Sequence, residues 1–581
     1  MVGCSCGLAR RHSHQHRCRK NRLYTSAIGT HGKDSRLMSQ GLTCAGDLTG
    51  ESGIFLDQIG SFLAEKVADG KRISTQRLNE YQPEAFALAR HLSQNTACRS
   101  LIEWASSLGE LEHQVTELYC AMAGAEISHW MQYTYASLGF ENQAPAFSET
   151  VREFITSRMS TQWMTRLGRR IMERQKDPAG QLGLGEMHQM VREEFARFSD
   201  EKVQPLAEEI HRHDQLIPES LLTAMGALGV FGISIPDQYG GAFIDHGTMI
   251  IATEELSRAS LGAGGSVITR PEICAKAILK GGTKEQKAHW LPKIASGEKI
   301  ICVAVTEPDA GSDVASVKLA ARQSGDGWLL NGEKTWCTFA GRADVLCVLA
   351  RTGAIDEGHK GLTLFLAEKP GRRQGEGDEY SFKHTQDGGG VVEGNAIPTI
   401  GYRGMHSFSV SFQDYYVPDS NRIGELGQGF YLQMEGFSGG RIQTAARALG
   451  VMEAAFRNAI SYVQDRQVFG QSLGEFGLTQ VKLAQMAARI QAGRQLAYHV
   501  GTLMDRGQGG LEASLVKFMT CKDAEWVTRE AMQLHGGMGY SEEYPVSRYW
   551  QDARVLSIFE GAEEVLALLV IARQYLARFI L

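Results

Sequence analysis

Apolar residues recur three and four positions apart through residues 51–170, as in Leu101, Ala105 and Leu108 and again in Leu118 and Met122, a spacing that predicts helices. Inside that stretch the run Trp130, Met131, Gln132, Tyr133, Thr134, Tyr135 reads either as a core or interface patch or as the lining of a ligand site. Residues 176–183 hold Pro178, Gly180 and Gly183 with no period and read as a linker. Helical spacing resumes at 186 and runs to about 300, punctuated by Pro205, Pro218, Pro236 and Gly240-Gly241. The texture then changes. Residues 301–305, 328–330, 345–349 and 362–366 are short β-prone runs, and Gly325-Asp326-Gly327 supplies a turn between two of them. Phe408, Val410 and Phe412 alternate with Ser409 and Ser411, as in a strand with one buried face. After Gly427 helical spacing returns: Ile442, Ala445, Leu449, Met452, Phe456, Ile460 and Val463 share a face, and further helices are expected at 478–505, 511–534 and 562–579. The fold class is therefore multi-domain α+β. We divide it into a basic tail (1–45), an N-terminal helical extension with linker (46–185), a helical domain (186–300), a central β domain (301–426) and a C-terminal helical bundle (427–581).

A chain of 581 residues, 43% hydrophobic and 22% charged, can bury several cores. Its net charge of -6 is spread along the chain, which argues against a nucleic-acid partner. The apolar run 565–572 falls far short of the ~20 residues a membrane span needs. Eleven cysteines without a CxxC pair make no disulfide framework and suit a reducing, cytoplasmic compartment. Residues 1–37 stand apart, because Arg10, Arg11, Arg17, Arg19, Lys20, Arg22 and Lys33 all precede the first acid, Asp34. The tract reads as a basic transit peptide, which would direct the chain to a mitochondrial matrix, or as a Cys/His metal tract (Cys4, Cys6, His12, His14, His16, Cys18). It lacks a tetrahedral ligand pattern, so no metal is expected. Met38 offers an internal start, and the duller expectation is a disordered or non-native tail.

No GxGxxG follows a strand and no GK[ST] phosphate loop is present. Directly after the first β run stands Thr306-Glu307-Pro308-Asp309-Ala310-Gly311-Ser312-Asp313, whose amides and hydroxyls suit an anion or a ring edge, or only a turn. Further on come, in order, Trp336-Cys337-Thr338, Arg403-Gly404, Arg466-Gln467-Val468-Phe469-Gly470, Gln533-Leu534-His535-Gly536-Gly537 and Phe559-Glu560-Gly561. This ordered set resembles the acyl-CoA dehydrogenase family across residues 186–581. The resemblance implies a helical domain, a central β domain and a C-terminal four-helix bundle. It also implies bound FAD, an acyl-CoA substrate, electron delivery to an electron-transferring flavoprotein and a homo-oligomer, dimer or tetramer. It assigns Glu560 as the catalytic base, Val305, Thr306 and Thr338 to the flavin edge and Trp336 to its face. Gly311 and Ser312 fall near the FAD phosphates or the CoA arm, and Arg441 on the CoA side. Arg466 and Phe469 would reach FAD across a subunit interface, with Gln533, Gly536 and Gly537 at its adenosine. Against these roles stand plain ones: Trp336 and Phe469 as core aromatics, the glycines as turn formers, and Glu560 as a first-turn acid complementing a helix dipole.

The chain also departs from the family. Phe476-Gly477 stand where many members carry a glutamine for the cross-subunit contact, with Gln480 a candidate replacement, and Ala562 and Glu564 follow the Glu-Gly pair, removing a hydroxyl contact to the flavin phosphate. These departures and the extension resemble one branch of the family, acting on (2S)-methylsuccinyl-CoA to give mesaconyl-CoA. The same branch is matched in Gly401-Tyr402-Arg403-Gly404-Met405, in the stretch from Arg441 to Ala448, in Thr269-Arg270 with Glu272, and in the glycine-rich insertion at 387–395. Such a substrate brings a second carboxylate, costly to bury unpaired, and Arg270 is the candidate partner unless it caps its helix or pairs with Glu272. Exclusion of water is expected to raise the pKa of Glu560. A short branched-chain acyl-CoA dehydrogenase, a flavin oxidase and a non-catalytic scaffold retaining the fold are the other readings.

Overall fold

Nine strands between Ile301 and Ile423 form one sheet: β1 (Ile301–Ala304), β2 (Ala320–Ser324), β3 (Gly327–Thr338), β4 (Val345–Arg351), β5 (Leu362–Glu368), β6 (Ser381–Thr385), β7 (Val391–Ile397), β8 (Ser407–Pro418) and β9 (Arg422–Ile423). Their order is β9-β5-β4-β2-β3-β8-β7-β6, with β1 running parallel to β4. This is a computed structural model describing residues 39–140, 144–174, 176–373 and 376–580. Residues 1–38, with the transit-peptide and Cys/His readings, lie outside them; the tail expected to reach residue 45 ends earlier, because a helix begins at Gln40 and buries Leu42 and Ala45. Every residue of β4 is buried, so its run of apolar side chains reflects cover on both faces rather than an alternating edge. In β8 the alternation holds, with Phe408, Val410 and Phe412 buried and Ser409 exposed. The pairing of β3 with β8 slips between Phe408 and Val410 and again between Phe412 and Tyr415, and such bulges sharpen a strand's twist.

The exit of β1 is bound to the end of β3. The buried Lys334 Nζ donates to the Val305 carbonyl at 2.9 Å and to Glu307 at 2.8 Å, and the Thr335 N–H donates to the Thr306 carbonyl at 2.8 Å. Glu307 also accepts from the N–H groups of Lys318 and Leu319. The turn that begins at Thr306 is thus fixed at both ends.

The extension contains α1 (Gln40–Val67), α2 (Gln82–Ala105), α3 (Glu110–Ser137) and α4 (Thr161–Met172). The helical region before the sheet contributes α5 (His246–Ala259) and α6 (Thr269–Gly281), and the C-terminal bundle α7 (Gly429–Asp465), α8 (Gly477–Asp505), α9 (Gly510–His535) and α10 (Val546–Leu556). The stripe Ile442, Ala445, Leu449, Met452, Phe456 and Val463 on α7 is wholly buried. The helix expected at 562–579 is interrupted: Glu563–Val565 leads into a π-helical turn, Leu566–Ala572, before Arg573–Ala577, and Leu569 is left 44% exposed.

The extension shares one hydrophobic core with the bundle, and α2, α3 and α4 all pack on α8. The approach of α4 is close enough that a Cβ at Gly168 would lie 2.1 Å from the Gln480 carbonyl oxygen. The linker is irregular yet docked: the Gly180 carbonyl accepts from Gln491 Nε2 at 3.0 Å, and the Gln181 N–H donates to Glu112 at 2.9 Å. The aromatic run is a packing patch, with Met131 buried and Tyr135 stacked on Phe140 at 4.2 Å. Among the described residues no helix is long and apolar enough to cross a membrane.

Candidate active site

Glu560 sits in the turn between α10 and the final helical run. The N–H groups of Ile558 and Phe559 donate to the Val555 carbonyl, and that of Glu563 to the Ser557 carbonyl. Glu560 has φ +53° and Gly561 φ +103°, and the helix that follows is capped by Ala562. The first-turn acids are Glu563 and Glu564, so the dipole reading of Glu560 does not hold. A left-handed glutamate is strained and persists only where its surroundings hold it. Here a Cβ on residue 561 would lie 2.9 Å from Leu566 Cδ2, and the buried Lys517 Nζ donates to the Gly561 carbonyl at 2.6 Å.

The carboxylate turns inward, its side chain 10% exposed. Oε2 accepts from Arg447 Nη2 at 2.6 Å and from the Thr444 hydroxyl. Arg447 is entirely buried, lies 4.7 Å from the centre of the Phe559 ring and donates through Nη1 to the Ser266 hydroxyl at 3.3 Å. Arg270, also buried, donates through Nη1 to the Ser266 carbonyl at 3.0 Å and to the Tyr402 hydroxyl at 2.8 Å. Tyr402 has φ +59°, is held by its N–H to Asp552 at 2.6 Å and sets its ring edge-on to Phe559 at 5.4 Å. Glu272 pairs instead with Lys276 at 2.6 Å, which removes it as the partner of Arg270.

Burial pushes the pKa of Glu560 upward, but the guanidinium of Arg447, then that of Arg270, and the hydrogen bonds from Thr444 and Arg447 outweigh it and hold the carboxyl below its ordinary value. This corrects the expected rise: desolvation is present, and an arginine that sequence reasoning gave no role reverses its effect. Thr444 and Arg447 were also legible in part, since a charge three residues after a threonine, inside the buried stripe of α7, must find a partner.

The residues assigned to the flavin fall into two groups. Val305 and Thr338 are buried and Thr306 half-buried beside the β1–β3 junction, where the hydroxyls of Thr338 and Ser407 lie 3.0 Å apart. Next to them Trp336 is 55% exposed at φ +56°, and Gly311 and Ser312 are exposed on the turn. The other group occupies one end of the bundle. Arg466 and Phe469 lie in the loop after α7, Gln533, Gly536 and Gly537 at the end of α9, all exposed, and Tyr462 stacks on His535 at 4.1 Å between them. Phe469 is 97% exposed at φ +50°. Neither Trp336 nor Phe469 is a core aromatic. Large rings held outward on strained backbone suit a planar partner, and this donor and ring set fits FAD. Gln480 is buried and donates to the Gly474 carbonyl at 3.0 Å, so it does not replace the missing cross-subunit glutamine. Arg441 is half-buried and reaches Ser514 on α9 at 3.2 Å.

Three family models match the chain in succession: acyl-CoA dehydrogenase N-terminal domain over residues 185–298, middle domain over 302–415 and C-terminal domain over 427–576. The chain belongs to the acyl-CoA dehydrogenase family and is an FAD-dependent oxidoreductase acting on acyl-CoA thioesters. It is 38% identical over 556 residues to (2S)-methylsuccinyl-CoA dehydrogenase of Cereibacter sphaeroides, a match covering 93% of this chain and 99% of that one, helical extension included. Among solved structures, butyryl-CoA dehydrogenase of Megasphaera elsdenii superposes with a TM-score of 0.61 at 32% identity, covering 67% of this chain and 97% of that one. A glutaryl-CoA complex of glutaryl-coenzyme A dehydrogenase gives 0.61 at 31% identity, covering 67% and 95%.

Proposed function

We propose that the chain oxidises (2S)-methylsuccinyl-CoA to mesaconyl-CoA, with Glu560 as the base. One observation carries this reading: the inward carboxylate of Glu560 pairs with the buried Arg447 and feels the charge of the buried Arg270, which pairs with no carboxylate among the described residues and leaves a positive charge for a second carboxylate to meet. The likeness to the Cereibacter sphaeroides enzyme supports it. Glu560 takes the α-proton, and the electron pair left behind is delocalised onto the thioester oxygen, which accepts from the Glu560 N–H. Bound FAD supplies the acceptor for the β-hydrogen, which leaves with its electron pair. Val305, Thr306 and Thr338 hold the flavin edge and Trp336 its face; Gly311 and Ser312 line the phosphate or CoA arm, where Ser312 and Arg441 contact substrate. Gln533, Gly536 and Gly537 hold the adenosine end, while Arg466 and Phe469 reach the FAD of a second copy, making the working enzyme a homo-oligomer. An electron-transferring flavoprotein then collects the electrons.

The test is reconstitution with FAD followed by an acyl-CoA panel, read as bleaching of flavin absorbance beside the variant Glu560→Gln. Methylsuccinyl-CoA should bleach fastest, and the variant should lose about 10³-fold or more while keeping its FAD. Retained turnover in the variant would remove Glu560 as the base. A panel led by a neutral branched thioester would remove the substrate.

A further inference from the structure

The ground-state position of Glu560 is a difficulty for a base. Its Oε2 already accepts from Arg447 and Thr444, and a carboxylate held in an ion pair and a hydrogen bond is a weak proton acceptor. Something has to break that pair when substrate arrives. The charges around it are unequal: within 4.0 Å Arg447 meets one carboxylate, Glu560, and among the described residues Arg270 meets none. The two arginines converge on one residue, Arg447 at the hydroxyl and Arg270 at the carbonyl of Ser266. They therefore face a common locus beside Glu560.

We infer that Arg447 is a specificity-determining residue through carboxylate exchange: the free carboxylate of the substrate takes over the paired guanidiniums of Arg447 and Arg270, and Glu560 is released to act as base. This rests on the substrate reading above. The geometry of a diacid thioester with a four-carbon main chain suits the exchange. Its free carboxylate carbon lies two bonds from the α-carbon, about 2.5 Å away. A base within about 3 Å of the α-proton therefore keeps its own guanidinium partner within reach of that carboxylate, whereas a longer diacid overshoots. After exchange both guanidiniums face the substrate carboxylate. Glu560 then keeps its dry surroundings without its main counter-charge, and its affinity for a proton rises. A neutral acyl group of the same shape occupies the pocket and leaves the pair closed.

The groups facing Glu560 bear on its titration from several elements. Arg447 and Thr444 come from α7, Arg270 from α6, and Lys517 and Cys521 from α9, while Tyr402 in the loop before β8 faces Arg447 and Glu563 in the following helix faces Lys517. Lys517 is engaged by the Gly561 carbonyl, so the exchange is assigned to the two arginines.

The wild-type holoenzyme provides the test without turnover. Mesaconyl-CoA and its neutral counterpart tiglyl-CoA are titrated by calorimetry near pH 6.5 in buffers of different ionisation enthalpy. Mesaconyl-CoA should bind with net uptake of a substantial fraction of a proton per site, tiglyl-CoA with essentially none. Equal uptake, or none for either, overturns the exchange, provided the same preparation turns over methylsuccinyl-CoA. Failure to turn over methylsuccinyl-CoA, with good turnover of 2-methylbutyryl-CoA, overturns the substrate reading and the exchange together. The variant Arg447→Gln adds a readout that a purely structural arginine would not move: kcat for 2-methylbutyryl-CoA should rise about tenfold while KM for methylsuccinyl-CoA rises. Equal losses on both substrates in a folded, FAD-loaded variant overturn the proposal. If that variant does not fold, the calorimetric comparison decides alone.

Discussion

Two buried arginine clusters lie along α7, and they differ in their arithmetic. At one, Arg494 of α8 donates to Glu254 of α5 at 2.6 Å and to Glu453 of α7 at 2.9 Å, while Arg457 adds a second contact to Glu453 at 2.6 Å. Cations and anions balance, and the cluster ties three helices together. At the other, Arg447 pairs with Glu560 alone, and among the described residues Arg270 pairs with no carboxylate. A balanced cluster is complete when the chain has folded, whereas an unbalanced one keeps charge in reserve for a ligand. Both lie in the same bundle, so burial alone does not separate a structural ion pair from a catalytic one.

The contrast can be broken most forcefully at Arg494. Replacing it with Met strands the buried carboxylate of Glu254, leaves Glu453 with Arg457 alone, and should cost about 3–5 kcal/mol of stability, read from the urea midpoint, with kcat per FAD-loaded site unchanged. A comparable loss of kcat would mean that the clusters are coupled. Arg270→Leu should act in the opposite sense: KM for methylsuccinyl-CoA rises about 30-fold, equivalent to ~2 kcal/mol, with a much smaller change for 2-methylbutyryl-CoA. Equal increases would return Arg270 to a structural role. The smallest effect lies on the acid limb. Glu453 is held down to about 2 from an ordinary 4.5, because Arg494 and Arg457 outweigh its burial. Its folded pKa is depressed, so its contribution is present above pH 4.5 and is lost as pH falls toward 2. Arg457 is 41% exposed, so Arg457→Met should bring this loss on at higher pH and lower stability by at most about 1 kcal/mol in unfolding experiments at pH 3 to 4.

Periodicity carried the helices and the buried strands well, because α7 and β4 bury the residues whose spacing announces them. It did not show the break in the final helix, since Leu566–Ala572 is as apolar as any helix and nothing in its composition marks a π-turn. Glu560 was legible through its place in a series of motifs, while its left-handed backbone was not: an acid ahead of a helical run is compatible with a first-turn position as well as with the turn before it. The pairing with Arg447 was hidden for a different reason. The two residues are 113 positions apart, and the sign of the pKa shift depends on which of them burial brings within 3 Å. Trp336 and Phe469 show the converse, since only coordinates reveal that rings of core type are turned outward.

Gly168 and the docked linker have a practical consequence for anyone wishing to work with the family-like part alone. The carbonyl of Gln480 accommodates a neighbouring helix at a spacing that admits no side chain, and Gln491 reaches across to a linker carbonyl. A protein trimmed to residues 186–581 would meet water along the flank of α8 with a surface shaped for protein, and its solubility, more than its chemistry, would fail first.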